Sequence, residues 1–173
     1  MKCFSIDLDG TLLNSEHDIS EVNLQTINEL REQGHAVILN TGRAYADVIK
    51  IKALQNLEIP IFCVNGSVLF SETKELLFEA TVSIETYKEL FPLLKGLGVG
   101  ILVYTNYGGF PSTLPPLHKK SKEELNTLFE EFNYDEILEK DQLKIYKLIA
   151  LTHHTQLEKV EEVKKALEGK FAI

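Results

Sequence analysis

Residues 3–11 read CFSIDLDGT: an apolar run that ends in two aspartates, Asp7 and Asp9, one residue apart, with Gly10 and Thr11 next. Read alone, Asp9-Gly10 is a turn after a strand. The neighbouring segments make it more than that. Residues 35–40, HAVILN, form a second apolar run and lead into Thr41-Gly42-Arg43. Residues 61–64, IFCV, follow Pro60 as a third run and lead into Asn65-Gly66. Between the first two runs, Ser20 is placed to cap a helix with Leu24, Ile27 and Leu30 on its apolar face. Gly34 stands where a helix C′ glycine belongs. After the second run, TGR opens an expected helix with Ile49, Ala53 and Leu57 inward. Alternating apolar strands and helices predict a parallel α/β sheet with helices on both faces. In such sheets ligands bind outside the carboxyl ends of the strands. Three polar clusters would then meet at one end of the sheet.

Beyond residue 66 the pattern changes. SVLF–SETKE–LLFEA reads as a hairpin around a polar turn. SIETYKELFPLL reads as a helix with Ile84, Tyr87, Leu90, Phe91 and Leu94 inward, which Pro92 must kink or bound. GILVY is an expected strand. Residues 105–120 hold Gly108, Gly109, Pro111, Pro115 and Pro116 and read as a long loop. Ser121 with Glu124 forms a capping box for a helix through Phe132, and Thr155 with Glu158 a second one. LKIYKLIAL between them is a strong strand, and Leu157, Val160, Val163 and Leu167 mark the last helix's apolar face. FAI at 171–173 would begin a further strand. The expected division is a core over residues 1–80 and a second α/β module over 81–173.

The chain has 173 residues, 44% of them hydrophobic, a net charge of −8 and two cysteines. An acidic chain without a basic stripe points away from nucleic acid and from an anionic membrane surface. It leaves room for a small anionic substrate if a local cluster or a bound metal reverses the field. Cys3 and Cys63 lie in strand-like runs and read as buried free thiols. No cysteine–histidine spacing suggests zinc. Neither a signal-peptide stretch nor an apolar span is evident. The expectation is a soluble cytoplasmic protein.

DLDGTLLNS, ILNTGR and VNGSVLF together resemble the haloacid dehalogenase superfamily of phosphohydrolases, more narrowly its Cof-type branch. LKIYKLIAL is similar to a strand of that branch's α/β cap. The resemblance implies a Rossmann-like parallel sheet core with an α/β cap inserted after the third strand. It implies Asp7 as the nucleophile that forms an aspartyl-phosphate and Asp9 as general acid and then base. It implies Mg2+ held by the Asp7 carboxylate and the Asp9 backbone carbonyl. Thr41 would donate its hydroxyl to phosphate, with the Gly42 amide nearby, and Arg43 would contact phosphate or substrate. The implied reaction is hydrolysis of a small phosphorylated metabolite, such as a sugar phosphate or a phosphorylated cofactor precursor. The same fold also serves phosphomutases, for which Asp7 would act equally.

The family's later lysine and its G-D-x-x-N-D-like loop find no counterpart in these residues. That makes a truncated, inactive fragment with weak phosphate or Mg2+ binding the alternative expectation. The strand CFSID would then be an unpaired edge, with self-association or a complementing C-terminal segment as its expected partner. The other polar residues read more plainly. Asn65-Gly66 is the turn that starts the hairpin rather than a direct ligand. His17, His118 and the His153-His154 pair are loop residues. Lys144 and Lys147 lie on a half-exposed strand, and the glutamate-rich run over 123–131 is an exposed helix face.

Overall fold

The computed structural model describes residues 1–111 and 120–170. Pro115, Pro116, His118 and the expected strand at 171–173 lie outside the described residues. The chain divides into two compact units. One comprises Met1–Thr81 with Asn106–Gly108, the other Val82–Thr105 with Gly109–Ile173.

The first unit is built on a sheet of order β1-β2-β3-β4-β5. Its strands are β1 (Cys3–Asp7), β2 (Ala36–Asn40), β3 (Ile61–Cys63), β4 (Val68–Phe70) and β5 (Leu76–Glu79). β1, β2 and β3 run parallel, and β4 and β5 return antiparallel as the expected hairpin. Cys3 pairs with Ala36 and Asp7 with Asn40, so both strands end level. Helix α1 (Glu21–Glu32) starts at Ser20, whose side chain accepts the Asn23 N–H. It closes as expected on Gly34, at φ 79°. There the Gly34 N–H bonds the Arg31 carbonyl and the His35 N–H bonds Leu30, a Schellman closure. Ile27, Val37 and Leu39 are buried beneath.

Two expectations fail in this unit. Cys3 is exposed, and β1 as a whole is only partly covered, Phe4 and Ile6 being half-buried. Among the described residues β1 has β2 as its one sheet neighbour, so one side lacks a partner. The helix after TGR is also not continuous. It is a four-residue helix, α2 (Tyr45–Val48), followed by a separate 3₁₀ turn over Lys52–Gln55. The buried residues are Val48, Ile51, Leu54 and Leu57, while Ile49 is exposed. That spacing of three is the 3₁₀ period rather than the α period. The Ala53 N–H is satisfied by the Asp18 carboxylate at 3.2 Å, not by an α-helical carbonyl.

A second sheet has the order β7-β6-β8, with β6 (Gly100–Thr105) and β8 (Ile145–Leu151) in the second unit and β7 (Gly108–Phe110) beginning at the boundary residue Gly108. β6 and β8 are antiparallel. Helix α3 (Ile84–Gly96) is capped by Ser83, which accepts the Thr86 N–H at 3.0 Å. Pro92 lies inside this helix rather than at its boundary. Tyr87 and Leu94 pack with Ile101, Val103, Tyr134, Ile137 and Ile145 in the unit's core. β7 shows that the expected long loop carries a strand of its own. The Ser121–Glu124 capping box is formed in both directions, and it opens α4 (Lys122–Glu130), which stops short of Phe132. A further helix, α5 (Asp135–Leu138), was not signalled by the sequence, although it buries Ile137 completely. The second capping box is absent. Helix α6 (Leu157–Leu167) takes Gln156 as its N-cap with no side-chain bond. Thr155 stands one residue too early, and its hydroxyl lies 2.8 Å from His153 Nδ1 instead. Leu157 and Val160 are exposed, so only Val163 and Leu167 of the expected face reach the core.

Candidate active site

The site is assembled at the carboxyl ends of β1, β2 and β3. After Asp7 the chain makes one wide turn over Leu8–Leu12, closed by the Leu13 N–H to the Leu8 carbonyl at 3.0 Å. Leu8 and Leu12 are buried and anchor the turn. Asp7 and Asp9 flank Leu8 in sequence and are exposed. Gly10 takes φ 73°, a left-handed value that glycine reaches without a Cβ penalty. The segment then doubles back through an isolated Leu13–Ile19 bridge. Asn14 Oδ1 accepts the N–H groups of Glu16 and Asp18, at 2.9 and 3.1 Å. Asp18 in turn accepts from Ile19 and Ala53. Neither residue was singled out from the sequence. Their signal was an Asx-type side chain at a turn. His17 lies in this turn, exposed, at φ 59°.

At the end of β2, Thr41 is 3% exposed. Its N–H bonds the Phe62 carbonyl at 2.9 Å, and its Oγ1 accepts the Arg43 N–H at 3.1 Å. With that lone pair used inside the loop, the hydroxyl proton is left to donate. The Arg43 guanidinium grips Asp9 with two parallel bonds, Nε to Oδ2 at 2.9 Å and the terminal nitrogen to Oδ1 at 2.5 Å. This pair, 34 residues apart in sequence, joins the first cluster to the second. The third joins through the backbone: the Val64 N–H donates to the Arg43 carbonyl at 2.9 Å and the Asn65 N–H to Thr41 at 3.0 Å. Asn40 Nδ2 adds a bond to Ser5 Oγ at 2.8 Å across β1 and β2.

All five expected site residues therefore fall on two adjacent strand ends, Asp7 directly opposite Asn40 in the ladder. Arg43, expected on phosphate or substrate, is found on Asp9. Asp7 and Asp9 offer hard oxygen donors of the kind Mg2+ takes, and Mg2+ can be held by one or two carboxylates with substrate oxygens and water. Among the described residues no group of three or more His, Cys, Asp or Glu is placed to hold a metal. The donor set fits a cation shared with substrate rather than an all-protein cage. Beneath the site Cys63 is buried, and burial pushes its thiol up to about 12. Tyr45 stacks on Phe70 with ring centroids 3.6 Å apart, and its hydroxyl is raised by burial and then by Cys63. Lys147, in the second unit, lies over the Tyr104 ring at 5.3 Å. No helix among the described residues is long and apolar enough to cross a membrane.

A sequence model of the haloacid dehalogenase-like hydrolases matches residues 4–173. The chain is 37% identical over 106 residues to the Bacillus subtilis 5-amino-6-(5-phospho-D-ribitylamino)uracil phosphatase YwtE, which covers 61% of this chain and 36% of that protein. It is 30% identical over 115 residues to Phosphatase YwpJ of the same organism, covering 63% of this chain and 40% of the relative. Among solved structures, a haloacid dehalogenase-like hydrolase from B. subtilis superimposes with a TM-score of 0.73 at 23% identity, over 98% of this chain and 67% of that one. A subclass IIB sugar phosphatase superimposes with a TM-score of 0.62 at 18% identity, over 96% and 63% of the two chains. The chain thus spans well under half of the curated relatives it matches and about two thirds of the solved structures. On the family match and the α/β architecture together, this chain belongs to the haloacid dehalogenase-like hydrolases.

Proposed function

We propose that this chain carries the nucleophile and phosphate loop of a Mg2+-dependent phosphatase acting on a small phosphorylated metabolite. The observation that carries the reading is the juxtaposition of Asp7 and Asp9 with Thr41, Gly42 and Arg43 through the Arg43–Asp9 ion pair. Asp7 attacks phosphorus, its carboxylate oxygen forming the new P–O bond as the bond to the leaving oxygen breaks. Asp9 gives that oxygen its proton. Asp9 then takes a proton from the water that attacks the aspartyl-phosphate, which releases orthophosphate and frees Asp7. Phosphate oxygens entering the site compete with Asp9 for the Arg43 guanidinium, and Asp9 released from Arg43 takes up, from water or the monoprotonated phosphate, the proton it then gives to the leaving oxygen. The Thr41 hydroxyl donates to a phosphate oxygen.

A carboxylate approaching a phosphate meets repulsion of about 4 kcal/mol per charge pair at roughly 4 Å and an effective dielectric of 20. Mg2+ held by the Asp7 carboxylate and the Asp9 carbonyl would supply the positive charge that offsets it. Two names bear on the substrate: one relative is called a phosphatase of a phosphoribitylamino-uracil, and one structural neighbour a sugar phosphatase. A sugar phosphate or a phosphorylated cofactor precursor is the proposed class.

A second reading is an inactive fragment of such an enzyme, with at most weak phosphate or Mg2+ binding. It is favoured by the lack of any Gly-Asp pair among the 173 residues. One assay separates the two readings, release of orthophosphate from an aryl phosphate with and without Mg2+. Mg2+-dependent release that Asp7→Asn abolishes is expected. Release that survives Asp7→Asn removes Asp7 as nucleophile. Orthophosphate binding without turnover supports the second reading. A phosphomutase of the same fold would instead move the phosphoryl group between positions of one sugar, visible by phosphorus NMR.

A further inference from the structure

The connection from β3 to β4 is unusual for a hairpin. Val64, Asn65 and Gly66 all take positive φ, at 50°, 57° and 91°. Glycine reaches that region freely and asparagine tolerates it, but a β-branched valine there is a true outlier. Such strain persists only where the surroundings over-determine it. Val64 is 1% exposed, and beside the Ser67 N–H on its own carbonyl at 3.3 Å, the turn's further bonds reach outside the hairpin. A plain connector bonds the two strands it joins. Here the Val64 N–H goes to the Arg43 carbonyl and the Asn65 N–H to the Thr41 carbonyl, at 2.9 and 3.0 Å. The strained turn therefore braces the neighbouring 41–43 loop. The Asn65 side chain takes part as well, because a Cβ built on Gly42 would meet Asn65 Oδ1 at 3.0 Å. Gly42 is not in the left-handed region, so its backbone would admit alanine, and the obstacle to a side chain is Asn65.

We infer that Asn65 is a positioning residue: its left-handed backbone and its amide oxygen splint Thr41, Gly42 and Arg43 in the geometry that receives a phosphoryl group. The inference rests on the phosphatase reading for its catalytic consequence, but the splint itself is a property of the ligand-free chain. Since Thr41 and Arg43 are placed to meet charge on phosphate, loosening their loop weakens transition-state stabilisation more than it weakens binding of the leaving group.

The test is a cycle of Asn65→Gly and Gly42→Ala. Glycine at 65 keeps the positive φ and the N–H to Thr41 and removes only the side chain. In the Mg2+-dependent aryl phosphate assay, Asn65→Gly is expected to lower kcat about tenfold, with KM changed about twofold or less. Gly42→Ala alone is expected to cost a similar factor, and to cost little more in the Asn65→Gly background, where its Cβ has room. A parental kcat in Asn65→Gly, or an equal Gly42→Ala loss in both backgrounds, overturns the inference. Amide hydrogen exchange on the ligand-free chain separates the two readings. Asn65→Gly is expected to speed exchange at Arg43 and Val64 and to leave Val37 and Leu39 unchanged. Unchanged exchange at Arg43 and Val64 overturns the splint whatever the activity. Faster exchange there in a chain whose parent releases no phosphate upholds the splint and overturns the phosphatase reading.

Discussion

At the residue scale the decisive contact is the one between Arg43 and Asp9. Its worth to the fold is small. The two side chains are 30% and 53% exposed, and water screens such a pair to about 1 kcal/mol or less. Its geometry is nevertheless bidentate, which only a guanidinium can supply to a carboxylate. We therefore expect Arg43→Lys to unfold at nearly the parental temperature while losing most of its aryl phosphate turnover. Equal losses of stability and activity would make the pair a structural one. Asp7, Asp9, Thr41, Gly42 and Arg43 were each legible as members of polar clusters at the ends of two strands, because strand ends in parallel sheets collect polar groups. That Arg43 would pair with Asp9 was not legible, since nothing local brings positions 34 apart together. The backing role of Asn65 was hidden for the same reason: read locally, Asn-Gly is only a turn.

At the element scale, signals that rest on one short-range bond read correctly, and those that rest on register did not. Ser20 and Ser121 cap the helices expected of them, and Ser83 caps α3 without having been expected to. Thr155 misses by one residue, and α5 is a single turn that no sequence signal marked, with Asn133 Oδ1 accepting the Asp135 N–H. Packing imposes stricter demands than either. A Cβ on Gly100 at the start of β6 would lie 2.4 Å from the Phe129 ring of α4. Phe129 borders a cleft of about 260 Å³, but the contact extends to the ring's Cγ, so the whole side chain must move. Gly100→Ala is thus expected to destabilise by about 1–3 kcal/mol, the usual cost of overpacking, read by urea unfolding, and Phe129→Leu should relieve most of it. On α3, Tyr87 is buried with its hydroxyl lacking any hydrogen-bond partner among the described residues. Burial first, then Asp135, pushes that hydroxyl from the ordinary 10.0 to about 12. A raised pKa favours the protonated folded state, so this contribution is complete below pH 10 and is lost as pH climbs toward 12. Tyr87→Phe is expected to match or exceed parental stability at neutral pH, since it deletes an unpaired buried group, and to flatten the loss of stability over that alkaline window.

At the scale of the whole molecule the question is what becomes of a sheet with two open sides. Among the described residues β1 and β5 are the outer strands, each with a single neighbour. Natural edges are blunted by charge, proline or a bulge. Within CFSID the one charge is Asp7, at the site itself, and there is no proline; its pairing with β2 continues unbroken in register. β5 differs. It follows a register shift at Leu69/Phe70, though it exposes Leu76, Leu77 and Phe78. An unbulged strand with half-buried Phe4 and Ile6 is the better template for a further strand, because its backbone groups stand in line and its apolar side chains gain cover. We expect the 173-residue chain on its own to associate through β1 at micromolar concentrations, as sedimentation velocity would show. Cys3→Lys places a charge on an exposed position of that edge and is expected to shift the chain toward monomer. Leu77→Lys serves as the control on the opposite side. A parental chain that sediments as a monomer and melts cooperatively at high temperature would refute the argument. Association abolished by Leu77→Lys and untouched by Cys3→Lys would assign it to β5, where exposed apolar area, rather than open backbone, would be the driving term.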